Sequence, residues 1–216
     1  NVSGNVTMSS TGLTKVSSIE ISTGTMNISG NFNSSGSASN SRTINITGAG
    51  GTINLAGNCN LSGFAILNAV AGSFFNYTGS GNQIVGGFTY QNVSFTSDGT
   101  KIMGGNGSLF GILSLQGSAT FSLGANNLTY GASSSLEYRG SSIQITTDEL
   151  TATDAPTNVI INNPEGVVLN SNLVSINGTL SLIRGTFDLN GNTFTVNNSS
   201  IFAITSTATS YVISED

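Results

Sequence analysis

The side chains that could carry out chemistry in this sequence are few, and histidine is absent. The 216 residues include 10 Asp and Glu and 5 Lys and Arg. Without histidine, the chain lacks the commonest general base and the commonest zinc ligand. A polysaccharide-cleaving β-helix would need two or three acids gathered on one surface. The acids are Glu20, Asp98, Glu137, Asp148, Glu149, Asp154, Glu165, Asp188, Glu215 and Asp216.

One group of acids, Asp148, Glu149 and Asp154, lies close together in the sequence. Charged residues in a turn are usually solvated, so we expect these three to form a solvated charged turn and not a catalytic site. Oxygen ligands of this kind could also hold a hard cation weakly.

Two glycine-rich segments have a loose similarity to calcium-binding loops. Residues 104–109 begin as Gly-Gly-Asn-Gly, but Leu109 stands where the calcium-binding repeat has its aspartate. Residues 188–192 contain Asp188 but lack the further acids and the closing glutamate of such a loop. We therefore interpret both as turns, and the sequence predicts no catalytic, metal-binding or cofactor-binding residue.

The cysteine and tyrosine residues have a structural interpretation. Cys59 is the single cysteine, so no disulfide can form within the chain, and its alternating surroundings favour a small buried core residue. Tyr77 and Tyr138 occupy matched positions of a repeat, with Tyr90 and Tyr130 nearby in sequence. Aromatic rings on a solenoid surface could bind sugars, but packing in the core is the favoured interpretation.

The elements that would position these residues are short strands. Residues 43–47, 180–182, 187–189 and 193–196 alternate polar and apolar side chains, which places the apolar ones on one side of a strand. Glycine, asparagine and serine bound each run and supply the turns. No stretch has apolar residues at helical spacing, so the sequence predicts an all-β protein.

The sequence repeats itself at low identity. Residues 75–79 return as residues 136–140, Gln83 returns as Gln144, and residues 111–115 return as residues 178–182. The offset between the copies grows along the chain, which indicates an insertion near residues 149–154.

Internal repeats of this length indicate stacked units. We therefore predict that residues 1–216 form one segment, with repeat copies at about 75–135 and 136–200 and a partial copy in 1–74. Residues 19–31 also match residues 180–192 without a gap, and residues 44–50 match residues 75–81.

Short strands with close turns fit two architectures, and we favour a parallel β-helix, or β-solenoid, of short stacked rungs. Matched apolar positions and asparagine-rich corners, which can form hydrogen-bonded ladders, support the solenoid. The alternative is an antiparallel β-sandwich, for which the Asn-Gly pairs beginning at Asn106, Asn177 and Asn190 would be hairpin signals.

The composition restricts the partners. Charged residues make up 7% of the chain, far below the usual share of about 25%, and residues 43–97 carry no charge. A neutral polar surface suits an extracellular or cell-surface setting.

No apolar run is long enough to span a membrane. The cations are too few and too scattered to follow a phosphate backbone, so we expect no nucleic-acid binding. They are Lys15, Arg42, Lys101, Arg139 and Arg184.

Residues 75–216 resemble a known kind of repeat, and the first third of the chain is loosely similar to it. The resemblance rests on residues 158–170, on residues 176–182, on residues 185–195 and on the closing residues 210–216. These are similar to the repeat region of very large secreted surface proteins of Bacteroidota and related bacteria, many exported by the type IX system and described as adhesin-like. The resemblance implies a parallel β-helix with a structural or adhesive role and no cofactor.

Together these observations predict a non-enzymatic extracellular segment that acts as a stalk, fibre or matrix component. The chain begins and ends within its pattern, so we expect it to be a piece of something longer, with self-association or neighbouring domains as partners. One alternative is a filament subunit joined head to tail through its bare ends. Another is a β-helix that binds or cleaves carbohydrate, with surface glycans as partners.

Overall fold

The computed structural model describes residues 1–10, 16–36, 42–61 and 65–214, and in this part of the chain every regular element is a β-strand. The strands pair in parallel throughout and wind as a β-solenoid of about eight turns. The all-β, parallel prediction is confirmed, and the antiparallel sandwich is wrong. The predicted positions Lys15, Glu215 and Asp216 lie outside the described residues. No described segment forms a helix that could cross a membrane.

Each coil of the solenoid has up to three strands, which lie on three faces. Face 1 is a single nine-stranded parallel sheet. Its strands are Thr25–Ile28, Thr52–Leu55, Phe74–Tyr77, Asn92–Phe95, Ile112–Gly117, Ser135–Gly140, Asn158–Asn162, Leu180–Arg184 and Ile204–Ser206.

Face 2 follows face 1 in each coil and consists of three shorter sheets. Its strands are Val6–Ser10, Phe32–Gly36 and Cys59–Asn60, then Gln83–Val85, Thr100–Met103 and Thr120–Ser122, then Gln144–Ile145, Val167–Val168, Thr186–Asp188 and Tyr211–Ile213.

Face 3 closes each coil and is also divided into three sheets. Its strands are Ser17–Ile21, Arg42–Ile46 and Ala65–Ala69, then Thr89–Tyr90, Gly107–Leu109 and Leu128–Tyr130, then Val174–Ile176 and Phe194–Val196. The coil that contains Ser135–Gly140 has no face 3 strand, and a turn that carries Glu149 and Leu150 fills that position.

The core is a stack of apolar side chains in register from coil to coil. On face 1, alternate residues point inward, and the partners of one such column run from Met26 through Phe75 and Leu136 to Ile204. Burying each large apolar side chain contributes about 1.5–3 kcal/mol to stability. Because every coil covers the next, the interior is one continuous column.

An asparagine ladder joins coils on the outside of the solenoid, on the strands of face 1, whereas the sequence indicated ladders at the corners. On face 1, the Nδ2 atoms of Asn27, Asn54 and Asn76 donate to the Oδ1 atoms of Asn1, Asn27 and Asn54, at 2.7, 2.7 and 2.8 Å. Each net hydrogen bond contributes only about 1 kcal/mol, so their number along the stack matters more than any one of them.

Similar sequences do not always occupy the same face. Ile19 and Ile21 lie in the face 3 strand Ser17–Ile21, whereas the residues that match them lie in the face 1 strand Leu180–Arg184. Residues 44–46 and 75–77 likewise fall on faces 3 and 1. The unit that recurs in these matches is therefore a strand with its corner. By contrast, Gln83 and Gln144 both begin strands of face 2.

Candidate functional site

The acidic group near residue 149 is partly buried. Asp148 accepts hydrogen bonds from the backbone N–H of Leu123, at 2.8 Å, and from the hydroxyl of Ser122, at 3.1 Å. Glu149 is fully buried. The predicted solvated turn is therefore wrong for Glu149, because its side chain turns into the solenoid and takes the place of core residues.

The Glu149 carboxyl group belongs to a buried hydrogen-bond network. Its Oε1 accepts from the hydroxyl of Tyr138, at 2.7 Å, and from the backbone N–H of Thr147, at 2.9 Å. Its Oε2 contacts the Thr147 hydroxyl, which also lies 2.7 Å from the carbonyl oxygen of Phe121. A hydroxyl has one hydrogen, so a protonated Glu149 that donates to Thr147 satisfies every member.

Burial favours the neutral form of Glu149. Loss of hydration raises the pKa of the Glu149 carboxyl, and the hydrogen bonds from Thr147 and Tyr138 oppose this only in part. No described cation forms an ion pair with it. The network is a buried structural centre within the core, closed to a substrate.

The tyrosines are core residues, and the interpretation of an exposed sugar-binding row is wrong for them. Tyr77, Tyr90 and Tyr138 are each at most 1% exposed. The hydroxyls of Tyr77 and Tyr90 lie 2.8 Å apart, and Tyr77 also accepts from the backbone N–H of Gly86. Cys59 is buried beside them, as predicted, and this burial raises the pKa of its thiol to about 12. The thiol is therefore unreactive at neutral pH.

Residues 188–192 contain a turn, as predicted, whereas residues 104–109 form a bend and then the strand Gly107–Leu109. The Asp188 carboxylate accepts from the backbone N–H of Asn190, at 2.8 Å, and the Asn106 side chain accepts from the backbone N–H of Asn127 in the next coil. Asn190 and Gly191 both have positive φ, and the strands on either side of them, Thr186–Asp188 and Phe194–Val196, belong to different parallel sheets, so this Asn-Gly pair forms a corner and not a hairpin. No group of three acids or cysteines that could hold a metal occurs within the described ranges.

Two of the cations are buried, which sequence reasoning missed. Lys101 points inward from face 2, and its Nζ donates to the carbonyl oxygens of Gly79, Gly81 and Asp98 at 2.7, 3.0 and 2.8 Å. Arg42 is also buried and donates to the carbonyl oxygen of Ser35 at 2.7 Å. The signal was present in the alternation, because both residues occupy inward positions of their strands.

The remaining described cations mark a site on the outer surface of face 1. Arg139 and Arg184 are exposed. Arg184 pairs in register with Asn162 of the preceding strand, and Arg139 follows Tyr138, which pairs with Ile161 of that same strand. Two strand spacings therefore separate the arginines, about 10 Å. The cations that the sequence showed as scattered are brought together here.

A groove of about 240 Å³ runs beside Arg139, and we call it the serine groove. Ser94 and Ser114 form its floor, because both are small residues at outward positions of adjacent strands. Larger side chains form its walls, namely Phe74, Asn92, Ile112, Gln116, Glu137 and Arg139. A second hollow of about 400 Å³ shares Arg139 and extends past Asn162 to Arg184.

Two polar side chains of the serine groove, Ser94 and Arg139, have no partner among the described residues, and the others are hydrogen-bonded. The Ser114 hydroxyl donates to Glu137 Oε2 at 2.9 Å, and Glu137 Oε1 accepts from the Asn162 side chain at 3.2 Å. Ser94 is 8% exposed, and its hydroxyl has no hydrogen-bond partner among the described residues. Glu137 and Arg139 also have no ion pair within the described chain, so the guanidinium group remains open to solvent.

No protein family model, curated protein or solved structure matches the chain in sequence or in fold.

Proposed function

We propose that this protein is a non-enzymatic structural segment of an extracellular or cell-surface assembly, a stalk, fibre or matrix component that holds other parts at a fixed separation. The observation that carries the proposal is the uninterrupted nine-stranded sheet of face 1. One hydrogen-bonded ladder extends along the whole stack, so the coils are linked in series from one end to the other.

The contacts between coils support a mechanical role. Backbone hydrogen bonds, apolar columns and asparagine ladders all run along the solenoid axis. Repeat proteins of this kind derive their stability from each unit and its interface with the next. The chain therefore gains length by adding coils without adding a separate core.

The surface also supports an extracellular position. Neutral amides and hydroxyls cover most of it, since charged residues make up only 7% of the chain. Such a surface changes little with pH and salt, because few exposed groups titrate or attract counterions. This suits a protein that meets varying external solutions.

A single-molecule stretching measurement tests the mechanical role. The chain is held by its two ends in magnetic tweezers while the load is raised slowly. Coils contain between 18 and 27 residues, as the spacings from Asn82 to Thr100 and from Asn27 to Asn54 show. We expect constant length at low load and then release in steps of one or a few coils. Smooth extension from the lowest load, as for an unfolded chain, would contradict the proposal.

A second candidate is end-to-end assembly of identical copies. The last inward residues of the face 1 and face 2 columns are Ile204 and Val212, and both are exposed apolar side chains. The first coil presents half-buried Val6 and Ile19 at inward positions. Parallel strands at both ends allow a head-to-tail interface, which extends without closing.

Electron microscopy and sedimentation over a range of concentrations test this assembly. Filaments of the parent protein that disappear in the Ile204→Lys/Val212→Lys variant would support it. Thr205→Lys is the matched control, because Thr205 lies outward on the same strand. Uniform single particles of the parent at the highest concentration would rule it out.

A further inference from the structure

We propose that the outer surface of face 1, from Phe74 to Arg184, binds an acidic glycan, a chain of sugars that carry carboxylate groups. This binding role is additional to the mechanical role and does not depend on it. One continuous surface carries an unpaired hydroxyl, two free guanidinium groups, a carboxylate and an aromatic ring.

The serine groove offers a hydrogen-bonding position that the protein does not fill. Ser94 lines the groove and is 8% exposed as a residue, and no described residue bonds to its hydroxyl, which is open to solvent. The preceding strand ends its asparagine ladder at Asn76, whose register partner is Ser94. A sugar hydroxyl can both donate and accept, so it can bind at this position.

The two free arginines set the charge of the ligand. Guanidinium groups bind carboxylates with two parallel hydrogen bonds, and Arg139 and Arg184 have no such partner within the described residues. They are two strand spacings apart, about 10 Å. A glycan with a carboxylate on each residue can present two of them to these arginines while it crosses the strands.

The other groups favour a glycan over other polyanions. The Glu137 carboxylate lines the groove with the serine floor and Arg139, where it accepts from sugar hydroxyls and repels any anion placed against it, so the carboxylates of the glycan must lie at the arginines. Two cations also form too few phosphate contacts for stable nucleic-acid binding. Phe74 is 39% exposed at one wall, and its ring can pack against the apolar side of a sugar.

Isothermal titration calorimetry at low ionic strength tests the proposal with an oligomer of galacturonic acid and with its neutral methyl ester. We expect the acid to bind and the ester to bind much more weakly. Arg139→Gln/Arg184→Gln should weaken binding by roughly tenfold or more, the effect of losing charge-assisted hydrogen bonds. Both residues are exposed, and unchanged circular dichroism and melting would show that the variant is folded.

A charge-matched control separates recognition from general attraction. Thr7 and Asn60 point outward on face 2 and are also two strand spacings apart. Adding Thr7→Arg/Asn60→Arg to the double variant restores the net charge on another face, and we expect no recovery of binding. Recovery there, equal binding of the methyl ester, equal binding of a polyglutamate peptide or duplex DNA, or no binding by the parent would each overturn the proposal.

Discussion

Gln83 and Gln144 are buried at the same corner of two different coils and form the same pair of hydrogen bonds. The Nε2 atom of Gln83 donates to the carbonyl oxygen of Leu55, at 2.8 Å, and that of Gln144 donates to Leu115, at 3.2 Å. Each Oε1 accepts from the backbone N–H of a glycine four residues earlier. The two matched glutamines therefore have the same structural role, which is to join a corner to the coil before it.

Replacing Gln144 with leucine should destabilise the protein, because the Gly140 N–H would then be buried without this acceptor and the Leu115 carbonyl would lose one donor. Such a loss costs about 1–3 kcal/mol. Urea unfolding followed by circular dichroism measures it. Gln91→Leu is the matched control, because Gln91 is half-buried and its side chain forms no hydrogen bond with a described residue. Equal stability of the two variants would show that the corner bonds contribute nothing.

The fold was predictable because the same physical demand recurs in every coil. Alternation identified the inward residues, and stacking required apolar, glycine or asparagine residues at most matched positions and glutamine at the corner of Gln83 and Gln144. The outer groove was not predictable. The register between strands places Ser94, Glu137 and Arg184 on one surface. That register cannot be predicted from the sequence, because coil length varies from 18 to 27 residues. Glu149 was misinterpreted because the burial of a carboxyl depends on Tyr138 and Thr147, which only the folded coil brings to it.

Glu149 should make stability depend on pH. Burial raises the pKa of its carboxyl in the folded state above the usual 4.5, so the folded protein binds this proton more tightly than the unfolded chain does. The stabilisation is complete below about pH 4.5 and is lost as the pH rises through the folded-state pKa.

The Glu149→Gln variant isolates this effect. Glutamine cannot ionise, so the difference in unfolding free energy between variant and parent should shift in favour of the variant as the pH rises above 4.5. Asp98 does not confuse the comparison, since hydrogen bonds from Ser118 lower the pKa of its carboxylate and both proteins retain it. A difference that stays constant from pH 4 to 8 would show that Glu149 titrates normally.

Lys101 should contribute strongly to the stability of the fold, because three carbonyl oxygens converge on its ammonium group. Lys101→Met keeps much of the apolar stem but leaves the oxygens of Gly79, Gly81 and Asp98 without this donor. We expect a loss of several kcal/mol, since leaving buried polar groups unpaired costs about 1–3 kcal/mol for each one. Thermal unfolding measures it, and Lys101→Arg tests whether another cation can serve. A Lys101→Met variant as stable as the parent would contradict this role.

The asparagine ladder on face 1 should contribute a small, measurable stability. Asn54→Ala removes the bonds to both Asn27 and Asn76, whereas Asn1→Ala removes only the terminal one. At about 1 kcal/mol for each bond, the first variant should lose roughly twice as much free energy as the second. Chemical unfolding resolves this difference. Equal losses would indicate that water replaces the bonds within the ladder.

Two inward residues near the carboxyl-terminal end test the assignment of the core. Leu182 and Phe187 are 3% and 0% exposed, so an aspartate at either position would place a carboxylate in an apolar column. We expect Leu182→Asp and Phe187→Asp to unfold the neighbouring coils while the coils near Phe75 keep their structure, because solenoid units depend chiefly on their neighbours. Hydrogen exchange resolved by mass spectrometry distinguishes the two regions. Ser181→Asp is the control, since Ser181 points outward between the same coils, and its exchange should match the parent. Unchanged protection in both core variants would mean that the inward and outward sides of the last coils are assigned the wrong way round.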